Sequence, residues 1–400
     1  MALGRTITTW RPRQQVNSIR CKRDSRGSDP GRCYAPRLSD SEHRILSRVN
    51  LPWLLIITVC SAVFLASAGL CSAEAESPWW KMAWGMDCPA ALQTVGAAEL
   101  PRLWEQGGWW RVVTTGFVHG SALHITLNMW SLWSLGPWAS RAWGPARALV
   151  CFGASSVGGV LASVAWAEAP VVVGASAGIF GLAGGLWISR GWGDDACRGR
   201  VELISTKALG TTLAVMLTLG FFVPMIAQAG HLGGLAMGLA LGASFGGVGR
   251  SRVAYVAGLA AALALAVGFG LAARAPTWRA NYHAFRGFFL LEQGASSSAV
   301  VALREALQLD GESADLLNGV AYALAEAGVE LEEAERLVDA ALSGDAENGD
   351  YLDTKGWILC KRGELETGLA WIEKASSASG GAVPEIEEHL RTCESAAPVK

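Results

Sequence analysis

Between residues 51 and 273 the chain is a succession of apolar runs with almost no charge inside them, and this constrains its fold more than any other feature. A run of about 17–25 apolar residues crosses the hydrocarbon core of a bilayer as a helix. Only a helix or a closed barrel satisfies every backbone N–H and C=O without water. Seven such runs stand at about 51–70, 119–138, 146–166, 174–189, 207–224, 229–247 and 253–273, the fourth of them short. The expected fold class is therefore all-α, a polytopic membrane helix bundle. Segment 71–110 carries Trp79, Trp80, Trp84, Trp104, Trp109 and Trp110. Tryptophan, an apolar ring with one N–H donor, suits the membrane–water interface.

Charge divides the chain into three parts. Residues 1–50 hold eleven Lys/Arg against four acids, and residues 276–400 hold ten against twenty-two. The expected domains are a basic tail over 1–48, a membrane domain over 49–275 and a soluble region over 276–395. The tail has no apolar core, so it is not a secretory signal. It reads as a cytoplasmic tail or a mis-assigned start, with a transit peptide as the alternative. By the positive-inside rule it holds the N-terminus in the cytoplasm. Alternation then puts Arg141, Arg147, Arg190, Arg198, Arg200, Arg250 and Arg252 on the cytoplasmic side. Loops 167–173 and 225–228 face outward with one acid and no base. An odd number of spans places the acidic region outside. The nine cysteines form no metal or redox motif, and Cys60, Cys71 and Cys151 read as small hydrophobes in apolar surroundings.

The acidic region repeats. Gly294, Gly328 and Gly363 each end one helical pattern, and Ala306, Ala341 and Ala375 lie on the next, at offsets of 34 and 35 residues. Two amphipathic helices per repeat of about 34 residues is the pattern of TPR domains. Segments such as LNGVAYALAEAG and LDTKGWILCKRG resemble that family. Three degenerate repeats are expected over about 279–310, 313–345 and 348–378, with a capping helix at 384–393. A generic helical hairpin bundle is the alternative.

Chemistry concentrates in a few polar residues of the apolar region. Gly174-Ala175-Ser176-Ala177-Gly178 fits GxSxG, the nucleophile elbow of α/β-hydrolases. The flanking spans of membrane length do not fit that fold's parallel sheet. Ser176 alone is one more small residue at a helix contact. Three histidines, His119, His124 and His231, lie in the apolar region, all at the outer ends of spans. Ser176 opens the fourth span and His231 the sixth, at the same depth, with Gly233, Gly234 and Gly238 allowing close approach. A serine and a histidine so placed form a nucleophile and its base. No acid lies within these spans to orient His231, so a dyad is expected, with Phe180 stacking on the imidazole. His124 and Asn128, four apart on one helical face, can donate hydrogen bonds to an oxyanion.

Trp110-Arg111, then His119, His124 and Asn128 as His-x4-His-x3-Asn, then GxSx opening one span and a Gly-flanked His opening another, resemble the rhomboid protease family over roughly residues 50–275. The resemblance implies six core spans plus a seventh. It implies Ser176 as nucleophile, His231 as base and an oxyanion hole from the Ser176 N–H, His124 and Asn128. His119 would support that site and Arg111 would structure the outer loop. Ala177 stands where the family often has Gly, and Gly230 where Ala is usual. The seventh span with an external TPR-like domain resembles a bacterial subgroup of the family.

The implied activity is a serine endopeptidase cleaving single-pass transmembrane substrates, admitted sideways past Phe221, Phe222, Val223 and Pro224. No metal, cofactor or nucleic acid is expected, and a protein or peptide is the expected partner of the repeats. A bacterial plasma membrane is the expected location, with an organelle membrane as the alternative. The rival functions are a non-catalytic rhomboid-like binder of membrane helices and a membrane-anchored TPR scaffold.

Overall fold

The computed structural model describes residues 20–21, 33–34, 40–74, 85, 88–222, 227–311, 313–379 and 383–396. Trp79, Trp80, Trp84, Val223 and Pro224 lie outside the described residues. The chain divides into Met1–Leu51 and Pro52–Lys400. In the first unit β1 (Arg20–Cys21) pairs antiparallel with β2 (Cys33–Tyr34).

Helix α1 (Asp40–Glu74) leads to a segment of short elements, α2 (Pro89–Thr94), β3 (Ala98–Glu99), α3 (Leu100–Gln106) and α4 (Arg111–Thr114). Then come α5 (Ala122–Trp143), α6 (Pro145–Trp166), β4 (Val171–Val172), α7 (Ser176–Trp192), α8 (Asp195–Arg200), α9 (Thr206–Phe222), α10 (Gln228–Phe245) and α11 (Arg252–Arg274). The seven long helices, α1, α5, α6, α7, α9, α10 and α11, lie on the seven apolar runs, and together they form an all-α membrane bundle. Asn50–Ser72 of α1, Pro145–Trp166 and Arg252–Ala273 are long and apolar enough to cross a membrane on length and composition alone. The helix starts follow their caps. Ser121 accepts the His124 N–H at 3.1 Å and Ser251 that of Ala254 at 3.1 Å. Each bond satisfies one of the donors left open in a first turn. The second span therefore begins at Ala122 rather than 119, and His119 sits in the turn before it.

At the centre of the bundle α6, α7 and α10 meet through backbone rather than side chains. A Cβ on Gly238 would fall 2.0 Å from the Gly181 carbonyl oxygen. In a bilayer, where lipid is as apolar as leucine, such close approach stabilises by dispersion rather than by the hydrophobic effect. Beside this seam the fully buried Trp53 donates its indole N–H to Ser140 Oγ at 2.8 Å and packs edge-on against Phe152.

One expectation is corrected. Cys71 is no isolated hydrophobe: it is disulfide-bonded to Cys88, and Cys360 is bonded to Cys393. These pairs stand 17 and 33 residues apart, so no local spacing announces them. Trp104, half-buried, is tied to the end of α11. Its indole N–H donates to the Ala273 carbonyl at 3.0 Å, and its ring packs edge-on against Tyr282.

The C-terminal region is a row of helical hairpins: α12 (Ala280–Glu292) with α13 (Ser296–Leu309), α14 (Ala314–Ala327) with α15 (Leu331–Gly344), α16 (Gly349–Lys361) with α17 (Leu365–Ala378), then α18 (Pro384–Ala396). Gly294, Gly328 and Gly363 end α12, α14 and α16 at φ of 71°, 67° and 87°. That left-handed conformation is strained for residues with a Cβ, which accounts for the repeated glycine. Ala306, Ala341 and Ala375 are fully buried between hairpins. The row is seated on the bundle: Arg286 of α12 pairs with Glu105 of α3, and Arg102 lies over the Phe289 ring.

Candidate active site

Ser176 is the first residue of α7, and the turn before it is held from three sides. β4 pairs antiparallel with β3, Val172 against Ala98. The Thr115 hydroxyl donates to the Val172 carbonyl, and the Gly174 N–H donates to the Thr115 carbonyl at 3.1 Å. Gly174 then turns at φ 118°, where a side chain would be strained and would strike the His124 ring at 2.7 Å. The residue capping α7 is Ala175, whose side chain accepts nothing. The first N–H groups of α7, that of Ser176 included, thus lack an intrahelical partner. They sit at the positive end of the helix dipole, where negative charge is favoured.

His231 lies in the first turn of α10, which packs on α7 through glycine. A Cβ on Gly234 would lie 2.2 Å from the Ala177 carbonyl oxygen. This brings His231 Nε2 to 2.9 Å from Ser176 Oγ. Phe180, one turn along α7 from Ser176, stacks on the imidazole with ring centres 4.3 Å apart and planes at 21°. A hydrogen bond on one edge and a stack on one face leave the ring few orientations.

His124 and Asn128 project from α5 toward the same turn. With a Cβ placed on Gly174, His124 Nε2 would be at 2.8 Å and Asn128 Nδ2 at 3.6 Å. Asn128 is 7% exposed and its amide nitrogen has no hydrogen-bond partner. A buried donor without an acceptor costs about 1–3 kcal/mol. It faces the turn that carries the Ser176 hydroxyl, where it can donate to an oxygen bound there. His119, wholly buried, approaches the Phe117 carbonyl through Nδ1 at 3.3 Å and meets the His124 ring edge-on at 5.1 Å. Arg111 stands apart from this cluster. Its Nη1 donates to the Gln93 and Ala97 carbonyls at 2.5 and 3.1 Å, and its guanidinium lies over the Trp110 ring. It folds the segment between α1 and α5.

Two residues near His231 were not singled out from the sequence. Gln228, buried at the start of α10, donates through Nε2 to the Leu217 carbonyl of α9 at 2.5 Å. Glu168, in the loop after α6, accepts the Ala229 N–H at 2.8 Å. Burial raises its carboxyl above the ordinary range, opposed by that backbone bond and by Arg279. Glu168 is the one acid of the two loops assigned to the outer side, and that singularity was its only signal in the sequence.

With this geometry in view, comparison with known proteins is specific. Residues 106–248 match the Rhomboid domain family. Rhomboid protease GluP of Bacillus subtilis (strain 168) is 33% identical over 159 residues, 39% of this chain and 29% of that protein. RHOMBOID-like protein 4 of Arabidopsis thaliana is 31% identical over 153 residues, 38% of each. Rhomboid-like protease 3 of Toxoplasma gondii is 31% identical over 153 residues, 38% of this chain and 56% of that protein. This chain therefore spans from under a third to just over half of the length of these relatives. Among solved structures, the Sgt2 TPR domain from Aspergillus fumigatus covers 30% of this chain and 85% of its own at 18% identity, with a TM-score of 0.27.

Proposed function

We propose that the chain is a rhomboid-type intramembrane serine endopeptidase that cleaves single-pass transmembrane proteins. The observation that carries this reading is the 2.9 Å approach of His231 Nε2 to Ser176 Oγ at the starts of two helices locked together by glycine. The matching Rhomboid domain over 106–248 supports it.

Ser176 attacks the scissile carbonyl while His231 takes its proton through Nε2, and the protonated imidazole then returns it to the leaving amine. The tetrahedral oxyanion is held by the Ser176 N–H, Asn128 Nδ2 and His124. Water then releases the acyl group from Ser176 with His231 again as base. Phe180 keeps the imidazole in plane, His119 backs His124, and Arg111 holds the segment above the site. The substrate helix unwinds locally, since an intact helix keeps its carbonyls bonded. It enters beside α9, which turns Met216, Leu219 and Phe222 outward.

The protease unit comprises 49–275, preceded by the tail 1–48 and followed by TPR-like repeats over 276–395. The N-terminus is cytoplasmic, and the repeats lie outside a bacterial plasma membrane on the side of the active site. Disulfides persist in oxidising compartments. Cys71–Cys88 and Cys360–Cys393 both fall on the side assigned to the exterior, whereas free Cys197 falls on the cytoplasmic side. A protein or peptide partner sits in the groove of about 330 Å³ lined by Tyr322, Glu326, Asp353 and Glu385. The test is cleavage of a single-pass substrate in proteoliposomes. Ser176→Ala and His231→Ala each abolish it, and turnover near wild type in either variant removes the dyad.

A further inference from the structure

The helix that carries His231 has no cap of its own, because the residue before it is Ala227. The missing acceptor comes from another part of the chain. Glu168 Oε2 takes the N–H of Ala229, the second residue of α10, at 2.8 Å. Glu168 is itself aimed by its loop. Helix α6 is capped after Trp166 by Ala167 in the left-handed region, φ 49°. Its last carbonyls are bonded by the segment that opens the C-terminal region: Arg279 Nε donates to Trp166 O at 2.9 Å, and Asn281 Nδ2 to Ala167 O at 3.0 Å. A continuous set of contacts therefore runs from the start of the helical hairpins, through the α6–β4 loop, to the first turn of the His231 helix.

We propose that Glu168 is a positioning residue for His231, and that Arg279 and Asn281 make the C-terminal region part of its support. This rests on the protease reading above. Two physical effects act together. An uncapped first turn frays, and here that turn carries the base, whose distance from Ser176 sets the rate. In addition, the positive end of the α10 dipole opposes a positive imidazolium in the first turn, and a carboxylate at that end offsets it. Glu168→Gln keeps an acceptor but removes the charge, whereas Glu168→Ala removes both. Arg279→Ala with Asn281→Ala leaves Glu168 in place but unties its loop.

The experiment uses the full chain in detergent with a fluorophosphonate probe, and reads the rate constant of labelling separately from the final occupancy. Final occupancy counts folded sites, and the rate reports the geometry of each. Glu168→Ala is expected to label about tenfold more slowly at wild-type occupancy, with Glu168→Gln within about threefold of wild type and the double variant slowed about threefold. KM for a transmembrane substrate should stay unchanged while kcat falls in the same order. Wild-type rates in Glu168→Ala overturn the proposal. So does a fall in occupancy that accounts for the whole loss, because Glu168 would then be merely structural. A wild-type chain that never labels rejects the protease reading and this proposal with it, whereas a labelling wild type with an indifferent Glu168→Ala rejects this proposal alone.

Discussion

Adding one methyl group at Gly234 should nearly silence the proposed protease activity while leaving the chain folded. The new Cβ would sit 2.2 Å from the Ala177 carbonyl oxygen, 2.7 Å from its carbon and 2.9 Å from its Cα. All three are backbone atoms of α7, which cannot rotate away as a side chain can. Side-chain carbons essentially never approach within 3.0 Å, so in a close-packed interior α10 must back off by roughly 0.8 Å. Taken along the dyad, that stretches the Ser176–His231 hydrogen bond from 2.9 Å to about 3.7 Å, beyond useful range. A misplacement of about 1 Å at a reacting group costs on the order of 10² in rate. Stability changes far less, since overpacking costs about 1–3 kcal/mol and replacing a helical glycine by alanine returns about 1 kcal/mol. The assay is kcat on a fluorogenic transmembrane substrate in proteoliposomes, with thermal unfolding in detergent alongside. Gly268→Ala is the control, because nothing lies within 4 Å of its new Cβ. A Gly234→Ala variant with wild-type kcat, or a Gly268→Ala variant equally impaired, would refute the reasoning.

Asn128→Ala should lower kcat by about 10²–10³ with KM and thermal stability little changed, as for loss of one oxyanion donor. An unchanged kcat would return Asn128 to a packing role. In the repeats, Lys355 Nζ lies 2.6 Å from Glu335 and holds its carboxyl below the ordinary range. A depressed folded pKa contributes stability that is complete above the unfolded value of about 4.3 and is lost as pH falls through the folded value. Melting temperature should therefore fall more steeply with acidification in wild type than in Lys355→Met, and parallel curves would discard this pair as the cause. A tag after Lys400 should be accessible from outside intact cells and one within residues 1–40 protected. A cytoplasmic C-terminal tag would mean an even number of spans.

What was legible in the sequence follows from how locally each feature is written. The apolar runs and the repeated glycines act within a few residues of themselves, so the helices and hairpins could be read directly, whereas the Ser121 cap that starts the second span at Ala122 was missed. Ser176 and His231 stood out because a polar side chain in an apolar run is costly and therefore conspicuous. Glu168 is the opposite case. It caps a helix 61 residues further on, and apart from being the one acid of the outward loops nothing distinguishes it from a solvated loop acid. The disulfides and the edge-on packing of Trp104 against Tyr282 are likewise set by tertiary packing. The two-residue strand Val171–Val172 that steadies Ser176 depends on pairing with Ala98–Glu99, a partner that periodicity does not point to.

The proposed dyad is tested most directly by exposing the full chain to a fluorophosphonate probe in detergent and mapping the adduct by peptide mass spectrometry. A single adduct on Ser176, abolished in Ser176→Ala and severely reduced in His231→Ala, is the expected result. An unlabelled Ser176 in a folded wild-type chain, or labelling undiminished without His231, would contradict it.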